Sequence, residues 1–304
     1  MFLQVHKLCF MTFEQLRALV AIVDEGTFEA AADLLGVTPS AVSQRIKALE
    51  ASVGQVVVQR SVPCVPTEAG VALVQMARQI QLLQADTLHR LGADADSRTR
   101  LPVAVNADSL ATWFVPVLRE AADWADVLLD LHVEDQDHSS TLLRRGEVLG
   151  AITADPSPVH GCSIEPLGRM RYLPVASATL LERPGTGAGS APDYTALPMV
   201  QYNAKDDLQR QALRSLGIHT EPPSHTVPSF DGFFSAIHAG LGWGMITEHQ
   251  WQQLPDDGPL TRLSDLPDAD VTLYWQSWTL RSDRLDRLGI AIRSAASAGL
   301  HPAG

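Results

Sequence analysis

Cysteine is scarce in this sequence: the 304 residues include three cysteines, Cys9, Cys64 and Cys162. Their odd number and wide spacing argue against a disulfide framework, and no spacing suggests a zinc site. No apolar run approaches the roughly 18 residues that a membrane span needs. No small-residue cleavage site follows the apolar first ten residues, so nothing directs the chain to export. These absences predict a protein of a reducing cytoplasm that has no membrane partner.

Basic residues are also few, and this bears on nucleic-acid binding. The chain has 23 Lys and Arg against 35 Asp and Glu, a net charge of −12, which by itself argues against a nucleic-acid partner. The deficit is uneven, because residues 1–66 hold five basic and six acidic side chains and are nearly neutral. Exposed charges are screened over about 8 Å at physiological salt. A distant acidic domain therefore need not keep a neutral N-terminal module from phosphates.

Recognisable catalytic and cofactor motifs are missing as well. The sequence contains no GxSxG, HExxH or CxxC pattern, so it predicts no enzymatic activity, no metal and no cofactor. The glycine-rich stretch 240–244 follows a predicted helix and precedes a predicted strand. A dinucleotide loop needs the opposite order. We interpret the stretch as a helix C-cap and a tight turn into a strand.

The length and the 45% hydrophobic content predict about two domains with separate cores. Near the N-terminus, threonine caps at Thr12, Thr27 and Thr38 each precede a helical pattern of apolar residues. A tight turn at Gly36-Val37 separates the second and third helices. Helix, short turn, helix is the arrangement of a helix-turn-helix module.

The third predicted helix, residues 39–53, has a polar outward face without acidic residues. Such a face suits a DNA groove, although a solvated face of an ordinary three-helix cluster explains the same pattern. A β-rich run at residues 55–60 and a proline-punctuated loop to Pro66 predict a two-stranded wing. We expect base contacts from Ser40, Ser43, Gln44 and Arg45 and phosphate contacts from Lys47 and Arg60, with Thr38 and Pro39 at the helix start.

A long helix is predicted next, over about residues 67–91. Its apolar residues follow a 3-4 spacing that is typical of a seam between two chains. The alternative is that the helix packs on its own domain. The predicted dimerisation residues are Leu73, Met76, Ile80 and Leu83. Polar residues 94–100 lack periodicity and are interpreted as a hinge.

The stretch FEAAADLLGVTPSAVSQRIKALEASVG, the wing, and TEAG at the start of the long helix carry a family resemblance. Together, across residues 12–90, they resemble the DNA-binding end of LysR-type transcriptional regulators. Val57-Val58 and Pro66 depart from the family's usual residues in the wing. The usual family start lies near Met11, so residues 1–10 are expected to form an unstructured extension.

The resemblance implies an α+β protein with a winged helix-turn-helix, a linker helix and a two-lobed α/β effector domain like periplasmic binding proteins. The expected parts are a DNA-binding domain at 11–67, a linker and dimerisation helix at 68–92, and an effector domain at 93–304. Within the effector domain we expect lobe I at about 100–170 and 277–304, and lobe II at about 171–276.

The effector half alternates strand and helix patterns, which predicts a mainly parallel sheet. Two loops at strand ends carry charged and polar side chains, and such loops open onto one crevice. We expect Ser109 and the adjoining helix N-terminus to hold a carboxylate. The acids would hold cationic groups, although Asp108 and Asp137 also suit simple helix N-caps. The ligand candidates are Asn106, Asp108, Ser109, Glu134, Asp135 and Asp137.

Several carboxylates lining a cleft repel one another, and a cationic ligand such as lysine or arginine relieves that repulsion. The segments VNADSLATWF, VEDQDH, RRGEVLGAIT and MRYLPVAS resemble the branch of LysR-type regulators that senses lysine and arginine. That branch activates export of basic amino acids. The resemblance implies double-stranded DNA, RNA polymerase and further copies of the chain, as a homodimer or homotetramer, as partners. Two alternatives stay open: a less specific chromosome-binding repressor, and a small-molecule-binding module without a DNA role.

Overall fold

The computed structural model describes residues 11–93, 98–133, 139–183, 192–255 and 258–303. The predicted extension at residues 1–10 lies outside the described residues. The described chain begins with helices α1 (Phe13–Glu25), α2 (Phe28–Leu35) and α3 (Pro39–Val53). The hydroxyl groups of Thr12, Thr27 and Thr38 each accept a hydrogen bond from a backbone N–H in the first turn, so the predicted caps are confirmed. Caps of this kind contribute about 1 kcal/mol each.

The wing follows α3 as two short antiparallel strands, β1 (Val58–Gln59) and β2 (Val65–Pro66). This confirms the predicted two-stranded wing. The N–H of Cys64 donates to the carbonyl of Gly26 at 2.7 Å. That bond fastens the wing to the turn between α1 and α2.

Helix α4 (Glu68–Arg90) belongs to two hydrophobic cores. Leu73, Val74 and Ala77 pack with α1, α2 and α3 in the N-terminal core, whereas Leu82 packs in the core of the effector half. The helix therefore packs in the hydrophobic cores of both halves of the chain.

The predicted dimer seam on α4 needs a correction. Leu73 is buried in the N-terminal core, and Met76 packs against the same core. The 3-4 spacing of these residues matches the core of their own domain, as the alternative interpretation holds. Ile80 and Leu83 remain 36% and 37% exposed, so the outward part of the seam consists of these two residues.

The rest of the described chain alternates strands and helices. In chain order they are β3 (Thr99–Val105), α5 (Ala107–Ala111), α6 (Val115–Ala121), β4 (Val127–Val133), α7 (Ser139–Arg144), β5 (Gly150–Thr153), β6 (Cys162–Ser177), α8 (Ala178–Leu181), β7 (Met199–Gln201), α9 (Leu208–Ser215), β8 (Ser224–Thr226), α10 (Phe230–His238), β9 (Gly244–Thr247), α11 (Glu248–Gln252), β10 (Leu260–Arg262), β11 (Ala269–Trp278) and α12 (Asp283–Gly299). The glycine-rich stretch 240–244 connects α10 to β9, as its interpretation predicts.

Seven strands of the described residues form one sheet in the order β10-β6-β11-β5-β3-β4, with β9 also paired to β6. Strand β3 is parallel to β4 and β5, but β6 and β11 are antiparallel to each other. Strand β11 is also antiparallel to β5, and β10 and β9 are antiparallel to β6, so the prediction of a mainly parallel sheet is wrong. Strand β6 leaves lobe I for lobe II and β11 returns, so the pair must run in opposite directions. None of the described helices is long and apolar enough to span a membrane.

A buried ion cluster joins α4 to α12. Arg284 pairs with Asp86 of α4 and, at 3.0 Å, with Asp126, and Arg287 pairs with Asp126 at 2.6 Å. Asp86 and Arg284 are both buried. Burial would raise the pKa of Asp126, but the hydrogen bond and charge of Arg287 and the charge of Arg284 outweigh it and hold the pKa below its usual value.

Replacing Arg284 tests the weight of this cluster. Arg284→Met leaves Asp86 as a buried charge without its partner, so we expect the free energy of unfolding to fall by about 3–5 kcal/mol. The matched control is Arg293→Met on the same helix. Arg293 makes an exposed 2.7 Å pair with Glu165, for which about 1 kcal/mol or less is expected. Urea denaturation measures both, and equal losses would contradict the assignment.

Candidate DNA-binding face and ligand cleft

The start of α3 is exposed and well ordered by its own side chains. The hydroxyl of Thr38 accepts from the N–H of Ala41 and shares a 2.9 Å hydrogen bond with Ser40. Pro39 occupies the first turn of the helix. Thr38, Pro39 and Ser40 are all exposed. Thr38 and Pro39 therefore build the helix start, while Ser40 stands beside them on the surface.

The face of α3 carries the remaining predicted contacts at helical spacing. Gln44 and Lys47 are exposed, and Ser43 is half-buried. Arg45 differs, because its guanidinium pairs with Glu14 of α1 at 3.2 Å. The structure thus brings Ser40, Gln44 and Lys47 onto one open face.

The wing places Arg60 beside this module. Its guanidinium carbon lies 5.1 Å from the centre of the Phe28 ring at the start of α2. A cation over an aromatic face is attracted by the ring's quadrupole. Phe28 therefore positions the wing arginine.

A cavity of about 300 Å³ lies between the two lobes of the effector half. Lobe I lines it with Asn106, Asp108 and Val133, which stand at the ends of β3 and β4. The crossing strand β6 contributes Tyr172. Lobe II closes it with residues that include Asp206. The prediction that the loop after a strand end opens onto the crevice is therefore confirmed for β3.

Asp108 faces the cavity and is oriented by a tyrosine. The hydroxyl of Tyr172 donates to the carboxylate of Asp108 at 2.7 Å. Burial raises the pKa of Tyr172 well above its usual value, and the charges of Asp108 and Asp206 raise it further. Tyr172 is therefore a neutral donor at any physiological pH, and both acids lie close enough to act on one hydroxyl.

Asn106 lines the cavity, but its amide oxygen is buried. The residue is only 5% exposed, and its Oδ1 has no hydrogen-bond partner among the described residues. A buried amide oxygen without a donor costs about 1–3 kcal/mol.

Ser109 is not in the cavity, so its predicted role needs a correction. It is fully buried, and its hydroxyl accepts from the indole N–H of Trp113 at 3.0 Å. The turn of α5 directs it into the lobe I core and leaves Asp108 at the cavity. Three further candidates, Glu134, Asp135 and Asp137, lie outside the described residues.

Lys205 and Asp206, which are not among the ligand candidates predicted from the sequence, line the cavity from lobe II. Asp206 accepts from the N–H groups of Tyr202 and Leu208 and from the amide of Gln209. Burial raises the pKa of Asp206, and these hydrogen bonds and Arg210 only partly offset that effect. The signal was available: Asp206 follows β7 as Asp108 follows β3.

Comparisons with known proteins identify the chain's family. Residues 13–71 match the family described as "Bacterial regulatory helix-turn-helix protein, lysR family", and residues 94–297 match the "LysR substrate binding domain". The chain belongs to the LysR family of transcriptional regulators. The family resemblance and the fold class stated from the sequence are therefore confirmed. Proteins of this family regulate transcription and are not enzymes.

Individual LysR-family proteins are similar over nearly the whole chain. The lysine export transcriptional regulatory protein LysG of Corynebacterium glutamicum is 44% identical over 290 residues, which is 95% of this chain and 99% of that protein. The crystal structure of ArgP from Mycobacterium tuberculosis matches at a TM-score of 0.83 with 46% identity, over 95% and 98% of the two chains. Full-length LysG of C. glutamicum with bound effector Arg matches at 0.78 with 43% identity, over 96% and 100%.

Two substitutions on α3 test the DNA-binding face of this LysR-family module. Gln44→Ala should cost about 1–3 kcal/mol on a duplex selected in vitro from random sequences, and should relax the choice of base there. Lys47→Ala should weaken binding to all sequences alike and reduce the slope of log affinity against log salt by about one. Fluorescence anisotropy at several salt concentrations measures both. Wild-type binding by both variants would contradict the assignment of this face.

Proposed function

We propose that this chain is a DNA-binding transcriptional regulator whose cleft binds lysine or arginine. The observation that carries the proposal is the meeting of Asp108 from lobe I and Asp206 from lobe II in one cavity. The Arg-bound structure of the relative LysG supports it.

The charges of the described lining residues complement a basic amino acid. The cavity has two carboxylates, Asp108 and Asp206, and one ammonium group, Lys205. Lysine and arginine have two cationic groups and one carboxylate at neutral pH. The two acids take the cationic groups, and Lys205 faces the ligand carboxylate.

The apolar lining and the size of the cavity agree with this ligand. Phe230, Phe233 and Met245 line the cavity and can pack against an aliphatic side chain. A volume of about 300 Å³ lies at the small end of ligand sites and suits one amino acid. An anionic metabolite would meet two carboxylates and is disfavoured.

Asp206 and its neighbour Asp207 provide a matched pair for testing the ligand. Asp206→Asn removes one charge-assisted hydrogen bond, worth roughly 1.5–3 kcal/mol, so arginine and lysine should bind about ten- to a hundredfold more weakly. Asp108→Asn should act in the same way. Asp207→Asn is the control, since Asp207 pairs with Arg210 and Arg214 and is not one of the lining residues.

Calorimetry on purified protein measures these affinities, and the DNA affinity without ligand should remain that of the wild type in each variant. If the Asp206→Asn protein binds arginine as the wild type does, the acidic cleft is not the ligand site.

Dimerisation through α4 is part of the same proposal. The partly exposed Ile80 and Leu83 would pair with the same helix of a second chain. The pairing would place two DNA-binding domains on one DNA site. Ile80→Asp would bury a charge in that contact and should dissociate the assembly at micromolar concentration. Gln84→Asp, at an exposed position of the same helix, is the control. Light scattering measures the molar mass of each variant in solution, and a monomeric wild-type protein would contradict the pairing.

The proposal also names the process that the protein regulates, which is export of a basic amino acid. The relative LysG is named a lysine export transcriptional regulatory protein, which supports regulation of an amino-acid export gene. Our proposal adds that the regulation is activation through RNA polymerase in the cytoplasm. The alternative is a less specific repressor of the same fold. Transcription in vitro distinguishes them: the proposal expects lysine or arginine to change transcript yield, and ligand-independent repression would favour the alternative.

A further inference from the structure

Arg78 of α4 joins three elements of the chain. Its guanidinium donates both to the carboxylate of Asp24 on α1 and to the carbonyl of Gly146, in the turn after α7. One turn earlier on α4, the amide of Gln75 donates to the carbonyl of Arg144. The Arg78 side chain is only 12% exposed. We name Asp24, Gln75, Arg78, Arg144 and Gly146 the clasp.

The turn after α7 is shaped to present these carbonyls. The N–H groups of residues 145–147 bond to the carbonyls of residues 141–143, so the carbonyls of Arg144 and Gly146 are left for α4. Gly146 has φ +67, and a Cβ there would stand 2.5 Å from Cγ of Gln75. Glycine is therefore required for both the conformation and the close approach. The turn and α4 are in direct contact.

Hydrogen bonds and an ion pair connect the same turn to β11, one of the two crossing strands that join the lobes. The guanidinium of Arg144 pairs with the carboxylate of Asp155, just after β5, at 3.1 Å. The carbonyl of Asp155 accepts from the amide of Gln276 at 3.1 Å. Gln276 is fully buried on β11, close to the register shift between Leu273 and Tyr274. A polar path thus runs from the clasp to the crossing strands.

Helix α1 connects the clasp to the DNA-binding face on α3. Helix α1 holds Arg78 through Asp24 near its end and holds Arg45 of α3 through Glu14 near its start. Helices α1 and α3 also share the N-terminal core. A change in the position of α1 therefore moves α3.

We propose that the clasp couples the ligand cleft to the DNA-binding face within one chain. Binding of a basic amino acid favours one arrangement of the two lobes, the α7 turn follows the crossing strands, and Arg78 carries the change to α1. A ligand shifts such an equilibrium only by its difference in affinity for the two arrangements. The coupling rests on the proposed function, since it requires a ligand in the cleft.

Arg78→Ala breaks the clasp without touching the cavity or α3. DNA affinity on an in vitro selected duplex is measured by anisotropy with and without saturating arginine, and arginine affinity by calorimetry without DNA. In the wild type we expect arginine to change DNA affinity about 5- to 150-fold, the usual range of coupling between sites. In Arg78→Ala that factor should fall below about twofold, while arginine affinity stays within about threefold.

Two further variants make the result specific. Arg78→Lys keeps the charge but loses the planar fork that reaches two acceptors, so its coupling factor should be intermediate. Arg90→Ala removes the same side chain from an exposed position of the same helix and should keep the wild-type factor. A wild-type factor in Arg78→Ala, or no factor in the wild type despite arginine binding, would overturn the coupling.

Hydrogen exchange separates this proposal from the proposed function. Without ligand, Arg78→Ala should speed exchange at least about fivefold in peptides covering residues 20–26 and 144–149, because opening of both segments becomes easier. Arg90→Ala should leave both segments unchanged. Unchanged exchange in Arg78→Ala would overturn the clasp even if arginine binds. If the wild type does not bind arginine, the proposed function fails and the coupling fails with it, whatever exchange shows.

Discussion

One helix, α4, holds the two halves of this protein together by belonging to both hydrophobic cores. Leu73 and Val74 are buried in the N-terminal core and Leu82 in the effector core. Burying a Leu or Val side chain contributes about 1.5–3 kcal/mol to stability, so separating either end of the helix from its core costs several such contributions. The buried ion pair of Asp86 with Arg284 fixes the position of α4 against α12, because either charge would be costly to bury without the other. The orientation of the DNA-binding face relative to the effector lobes follows from this helix.

The crossing strands impose the second constraint, because they bring the strand ends of two lobes face to face. Asp108 follows β3 in lobe I, and Asp206 follows β7 in lobe II. Tyr172 lies on β6 between them, where burial and both charges raise its pKa. Two carboxylates in a partly dry space favour a cationic ligand. The chemistry of the cleft therefore results from the way the crossing strands place the two lobes opposite each other.

Features that depend on a few consecutive residues could be predicted from the sequence, and features that depend on distant packing could not. The cap at Thr38 needs only an N–H three residues away. The periodicity around Leu73 shows that residues share a face but not which core covers it. Ser109 adjoins Asp108, yet the path of α5 buries one and exposes the other to the cavity. Asp206 follows β7 as Asp108 follows β3, but only the packing of lobe II against lobe I shows that the two acids face one cleft.

Calorimetry with arginine and citrulline tests most directly whether charge complementarity across the cleft selects the ligand. Citrulline has nearly the shape of arginine but a neutral ureido group in place of the guanidinium. If charge complementarity selects the ligand, the wild-type protein binds citrulline at least about tenfold more weakly than arginine, because roughly one charge-assisted hydrogen bond is lost. Equal affinities for the two amino acids would contradict it.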